Sequence, residues 1–223
     1  MLAVVAHPDD ETFGLGAVIS ALISAGSAVH VLCFTRGEAS TLNAGGADLW
    51  AARAVELQQA GAELGVAGCT LLDYPDAGLP GVPHAEPEAE VARLACRHRA
   101  GGLLVFDDTG VTGHADHKSA TAAAVAAARA AGLPVLAWTL PAAIAHQLRA
   151  ETGAPFAGRP ADQVDLCVRV DRTRQRRAAL LHASQVSPAA VLWRRLQLQG
   201  DCEHLRWLDP GRNARAGEQA ATG

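Results

Sequence analysis

Leu2-Ala3-Val4-Val5-Ala6-His7-Pro8-Asp9-Asp10-Glu11 is the stretch whose reading decides the fold. The apolar run over residues 2–6 has the length and composition of a strand buried on both faces. It ends abruptly in one imidazole and three carboxylates. Burying that many ionisable groups together is costly unless a metal or a countercharge takes up the field. Such a knot belongs at the C-terminal edge of a parallel sheet, where open α/β folds hold their ligands.

Outward from that strand, β-branched or leucine-rich runs alternate with alanine-rich stretches, the pattern of βα units around a parallel sheet. Strands are expected over residues 2–6, 29–34, 70–72, 103–106 and 135–139. Helices are expected over 12–25, 48–64, 88–99 and 118–131, with Gly26 and Gly65 as C-caps and Asp48 starting the second. Beyond Pro141 the pattern weakens. Residues 164–170 alternate as an edge strand open to antiparallel pairing, and helices are expected over 172–182 and 188–198. The fold class is therefore α/β with a mainly parallel sheet, in one domain over residues 1–209. Residues 210–223 have no apolar period and read as a disordered tail.

The chain has 223 residues, of which 49% are hydrophobic and 19% charged, enough to build a sizeable core. A formal charge of -4 gives no general case for nucleic acid or a membrane surface as partner. The alanine-rich stretch over 120–131 is too short and too weakly apolar to span a bilayer. The first apolar run is interrupted too early to serve as a signal peptide. Cys33, Cys69, Cys96, Cys167 and Cys202 are scattered and form no C-x-x-C pair, so they are expected to be reduced thiols of a cytoplasmic protein. Composition leaves an oligomer of identical chains open.

The partner of the first knot is Gly113-His114-Ala115-Asp116-His117, after the fourth expected strand. His7, Asp10 and His117 together would supply two imidazoles and one carboxylate. That set leaves the fourth position of a tetrahedral zinc to water, a composition that suits catalysis better than structure. Asp9, adjacent to the metal, is the candidate general base for that water. His114 is placed to stabilise an oxyanion or to protonate a leaving amine, and Asp116 to orient one of the rings. Taken alone, each segment also has a bland reading: His-Pro-Asp-Asp-Glu as a helix-capping turn, and His-x-x-His as surface histidines. Finding both at the C-terminal ends of parallel strands favours a shared site.

These paired segments resemble the signature of the PIG-L/LmbE-like zinc-dependent N-deacetylases. The resemblance continues through Arg36-Gly37-Glu38, Arg53-Ala54-Val55-Glu56-Leu57, Leu64-Gly65-Val66, Tyr74-Pro75-Asp76-Ala77-Gly78-Leu79 and Ala183-Ser184-Gln185. It implies a Rossmann-like three-layer domain that removes an N-acetyl group from a small-molecule glucosamine conjugate. It also implies Zn2+ as cofactor, with Fe2+ as an alternative in the cell, and it assigns His7, Asp10 and His117 to the metal, Asp9 to the base and His114 to the tetrahedral intermediate. Arg53 and Asp76 match positions that contact sugar or aglycone hydroxyls, for which a guanidinium and a carboxylate are chemically suited. Two departures stand out: Thr112 where some relatives place a tyrosine, and Ala115 where proline is common. Beyond Gln185 the resemblance fades.

Two other readings belong to different classes. Gly14-Leu15-Gly16 suggests a nucleotide-binding Rossmann protein or dehydrogenase, but Ile19 stands where the third glycine is needed and carboxylates precede the turn. A catalytically silent sugar-binding protein is the second.

Overall fold

The structure is a computed structural model that describes residues 1–41 and 49–209, the last of these by its backbone alone. The expectations for Asp48 and for the tail over 210–223 lie outside the described residues. Five strands follow the alternating pattern: β1 (Leu2–Val5), β2 (His30–Thr35), β3 (Gly68–Tyr74), β4 (Leu103–Phe106) and β5 (Val135–Thr139). Two more, β6 (Leu166–Arg169) and β7 (Cys202–Asp209), complete one seven-stranded sheet in the order β3-β2-β1-β4-β5-β7-β6. The first five are parallel. β7 runs antiparallel to both β5 and β6.

The two-residue period of β1 divides the core. Ala3 and Val5 face one layer, with Ile19 of α2 (Gly16–Ser24), Leu57 and Leu64 of α3 (Leu49–Leu64) and Leu148 of α6 (Ala142–Thr152). Leu2 and Val4 face the other, with Val91 and Leu94 of α4 (Ala85–Arg97) and the alanines of α5 (Ala115–Ala131). With both faces covered, the parallel strands must be apolar throughout, which is why they read as runs rather than alternations. No described helix is long and apolar enough to cross a membrane.

Several expectations are corrected. The single helix over 12–25 is two: a one-turn α1 (Asp10–Phe13) and α2, separated at Gly14 and Leu15. Gly14 lies so close to Phe106 of β4 that a Cβ there would stand 2.1 Å from the ring, so the chain is pressed onto the sheet where the helix breaks. α6 was not expected, nor was β7. The buried side of β7 carries Glu203, and a charge at that position conceals the strand's apolar alternation. Glu203 is satisfied by the Trp138 Nε1–H (2.6 Å), the Gln199 amide (2.8 Å) and the guanidinium of Arg172, which precedes α7 (Thr173–Leu181). The last helix is α8 (Val191–Gln199).

The cysteine expectation is also corrected. Cys167 and Cys202, on neighbouring antiparallel strands with Cα atoms 6.2 Å apart, form a disulfide, while Cys33, Cys69 and Cys96 are free. Their spacing of 35 residues shows no pairing in the sequence. The pairing removes the argument from cysteine usage for a cytoplasmic location.

Candidate metal centre and active site

β1 and β4 are neighbours, and from that pair the chain winds outward in opposite directions, through β2 and β3 on one side and β5 on the other. The crevice at such a switch point is where open α/β sheets bind ligands. His7 through Asp10 leave β1 on this edge, and residues 107–117 leave β4 beside them.

Three side chains converge there. His7 Nδ1 lies 3.3 Å from His117 Nε2 and 3.4 Å from Asp10 Oδ2, and His117 Nε2 lies 3.1 Å from Asp10 Oδ1. Ligands at the corners of a tetrahedron around a cation with bonds of about 2.0–2.1 Å stand about 3.3 Å apart, so the donor set fits a divalent metal. The outer edges of both rings are fixed. His117 Nδ1 meets Gly110 O at 3.1 Å, and His7 Nε2 meets Asp76 Oδ1 at 3.0 Å and Asp116 Oδ2 at 3.1 Å. A carbonyl or carboxylate behind a ligating imidazole is the usual way to set its tautomer and orientation. The sets His7/His114/His117 and His7/Asp76/Asp116 also offer donor atoms within 4.8 Å of one another. Both Asp116 oxygens, however, already accept backbone N–H groups, from Ala77 at 2.7 Å and Leu79 at 3.2 Å.

Asp9 stands beside this set on a strained backbone, at φ 121° and ψ -28°. Two neighbours hold it there. Glu11 Oε2 accepts the Asp9 N–H at 2.9 Å, while Glu11 Oε1 pairs with His182 Nε2 at 2.6 Å, both side chains fully buried. Arg53, on α3, donates from Nη2 to Asp9 Oδ2 (3.1 Å) and Pro8 O (2.5 Å), and from Nη1 to Gly37 O (2.6 Å). Gly37, at φ 67°, permits this approach, because a Cβ would stand 2.0 Å from Arg53 Nη1. Farther along α3, Glu56 accepts the N–H and hydroxyl of Ser184 at 2.8 and 2.6 Å, docking the end of α7.

The electrostatics follow from burial and from carboxylate crowding. Burial opposes charge on His7, but its hydrogen bonds to Asp10, Asp116 and Asp76 prevail and raise its pKa to about 12. Burial also opposes charge on Asp10, yet His117 and His7 hold its carboxyl well below the usual range. Asp9 goes the other way: burial, with Asp10 alongside, lifts it to about 7 against the pull of Arg53. His114 is lowered by burial and by the neighbouring His117 and His7. Its Nδ1 accepts the Asp116 N–H at 3.3 Å, which leaves Nε2 to carry the proton of the neutral ring.

The structure brings His7, Asp9, Asp10, His114, Asp116 and His117 to one place. Arg53 and Asp76 are there too, Arg53 against Asp9 and Asp76 against His7. Arg53 is only 3% exposed and both its Nη atoms donate to protein groups, while Asp76 faces His7 and the Ala39 N–H at 2.8 Å. Sequence reading missed Glu11–His182 and Gly37. The adjacency of Glu11 to the knot was the one signal for the first, and the Arg-Gly-Glu motif for the second.

A model of the family described as PIG-L, GlcNAc-PI de-N-acetylase, matches residues 2–128. Among curated relatives, the chain is 34% identical over 188 residues to the 1D-myo-inositol 2-acetamido-2-deoxy-alpha-D-glucopyranoside deacetylase of Nakamurella multipartita. The match covers 70% of this chain and 62% of that one, so the chain spans less than two thirds of this relative's length. Among solved structures, the conserved protein TT1542 of Thermus thermophilus superposes with a TM-score of 0.67 at 25% identity, covering 94% of each chain. GalB, the 4-carboxy-2-hydroxymuconate hydratase of Pseudomonas putida, reaches 0.70 at 21% identity, covering 94% of this chain and 95% of its own. That last likeness shows the fold alone, and the fold by itself does not choose a chemistry.

Proposed function

We propose, from the premise that this chain belongs to the PIG-L family of GlcNAc-PI de-N-acetylases, that it is a metal-dependent hydrolase of N-acyl amides. Its substrate class is a small glucosamine-containing conjugate with an N-acyl group, which is N-acetyl in the name of the Nakamurella relative. The working unit is one domain over residues 1–209. The observation that carries the reading is the convergence of His7 Nδ1, Asp10 and His117 Nε2 within 3.1–3.4 Å beside a carboxylate held by an arginine.

His7, Asp10 and His117 would hold the metal, zinc in the first instance with iron(II) as the alternative in the cell. Bound there, a divalent cation polarises the amide carbonyl and acidifies a water. Asp9 takes the proton of the attacking water, a task suited to a carboxylate whose pKa lies near neutrality. His114 offers Nε2–H to the oxygen on which negative charge develops. Collapse breaks the C–N bond, and the proton held on Asp9 passes to the departing amine. Asp116 and Asp76 fix the His7 ring, and Arg53 fixes Asp9. The carboxylates around the crevice are a poor environment for a nucleotide phosphate, which weakens the dinucleotide alternative.

The test is amine release from simple N-acetylglucosaminides by zinc-reconstituted protein, with a chelator control. Asp9→Ala is expected to lower kcat by about 10²–10⁴ while leaving bound metal near the wild-type ratio by elemental analysis. His117→Ala is expected to lose the metal itself. Substantial turnover by the Asp9 variant would remove Asp9 as the base.

A further inference from the structure

Beside the carboxylate–imidazole cluster lies a second feature that N-deacetylation does not require. A cavity of about 190 Å³ opens between the end of α1, the ends of β4 and β5, and α8. Phe13, Phe106, Trp138, Phe156, Val191 and Leu192 supply most of its walls, and His117 is the one member of the cluster on its border. The Phe106 ring packs edge-on against the His117 ring with centroids 4.9 Å apart, so the apolar wall begins directly at a proposed ligand.

Arg195 also borders the cavity but does not make it polar. Its guanidinium lies over the Trp138 ring, 4.8 Å from the centroid, and donates to Phe13 O. Apart from Thr112 and His117 the other lining side chains are apolar, and Arg195 Nη1, which has no hydrogen-bond partner, is buried away from the surface. An apolar pocket of this volume accepts apolar guests; about 150 Å³ lined by aliphatic and aromatic side chains is enough for benzene. An acetyl methyl group would leave most of the space unfilled.

Resting on the hydrolase reading, we propose that this cavity is the acyl subsite, and that it selects an apolar acyl group larger than acetyl: four to six carbons, or a single aromatic ring. The geometry of an amide supports that use. With the carbonyl oxygen directed at the His7, Asp10 and His117 set, the nitrogen and the acyl carbon chain leave the carbonyl carbon in different directions. The amino sugar needs a polar, accessible side, which exposed His114 and partly exposed Asp76 supply. The acyl chain is then left the direction bordered by His117, where the walls are apolar. Each methylene withdrawn from water contributes about fourfold in binding.

The experiment compares kcat/KM of zinc-reconstituted protein for methyl glucosaminides N-acylated with acetyl, butanoyl, hexanoyl, benzoyl and dodecanoyl groups. In parallel, calorimetry measures 1-hexanol binding to the metal-free protein. Butanoyl or hexanoyl is expected to exceed acetyl by about tenfold or more, and dodecanoyl, which overfills the cavity, to fall back. Leu192→Trp and the more exposed Val191→Phe are each expected to lower the hexanoyl-to-acetyl ratio at least tenfold and to abolish hexanol binding. If Leu192→Trp fails to fold, Val191→Phe carries the same reading. A tenfold preference for acetyl over every longer group, or an equal loss on all substrates in the filled variants, overturns the proposal. Hydrolysis of none of the amides would instead overturn the hydrolase reading, and hexanol binding would still report on the cavity.

Discussion

At Asp9 the backbone adopts φ 121°, a region that disfavours any side chain and costs about 1–3 kcal/mol. Glycine would relieve the strain but would remove the carboxylate. The conformation persists because Glu11 holds the residue's N–H and Arg53 its Oδ2. Gly37 is the least conspicuous part of this arrangement. Gly37→Ala would drive a Cβ into Arg53 Nη1 and break the contacts to Gly37 O, Pro8 O and Asp9 together. We expect a stability loss of about 1–3 kcal/mol by urea unfolding. Turnover is expected to fall at least tenfold with metal content intact. An active Gly37→Ala protein would mean that Asp9 needs no clamp.

Among the elements, β7 ties the parallel half of the molecule to its antiparallel flank. Its disulfide to β6 sits on one face, and on the other Glu203 anchors Arg172, Trp138 and Gln199. Arg172 and Glu203 are both nearly inaccessible, at 6% and 0% side-chain exposure, so removing one partner leaves an uncompensated buried charge. Arg172→Met is expected to destabilise by about 3–5 kcal/mol, read from the shift of a denaturation midpoint. The double variant Arg172→Met/Glu203→Gln is expected to recover part of that loss. If the single substitution were silent, β7 would have to be held by its backbone ladder alone. The same glutamate explains why the strand was not legible. In sequence, Cys202 to Asp209 shows a charge where a core residue is expected, and its neutralising partner lies 31 residues away.

For the molecule as a whole, Asp107 joins the end of β4 to β7 and to the segment that follows α6. It accepts from Arg159 Nη2 at 2.9 Å and Arg206 Nη1 at 3.3 Å, on the segment that leads to His114 and His117. Burial opposes its charge, but Arg159 and the Thr109 N–H prevail and bring its pKa down to about 2. The unfolded value is about 3.9, so this pairing contributes fully above that pH and is lost as pH falls toward 2. Arg159→Leu is therefore expected to be less stable than wild type at pH 7. The gap should close progressively between about pH 4 and pH 2 in acid-unfolding curves. A gap that does not change with pH would assign the effect of Arg159 to packing rather than charge.

Sequence by itself determined the βα alternation, the runs of β1, β4 and β5, and the two charged segments that meet at the sheet edge. Those features are local: strand runs, helix periods and turn residues are encoded within a few positions of one another. Tertiary structure alone decided the partners. It turned Asp76 toward His7 and Arg53 toward Asp9, buried Glu11 on His182, joined Cys167 to Cys202, and inserted β7 between β5 and β6. Each of these pairs residues 35 to 171 positions apart, or depends on which strand lies next to which. The order of strands follows from how the whole chain buries its apolar faces, and no local pattern contains it.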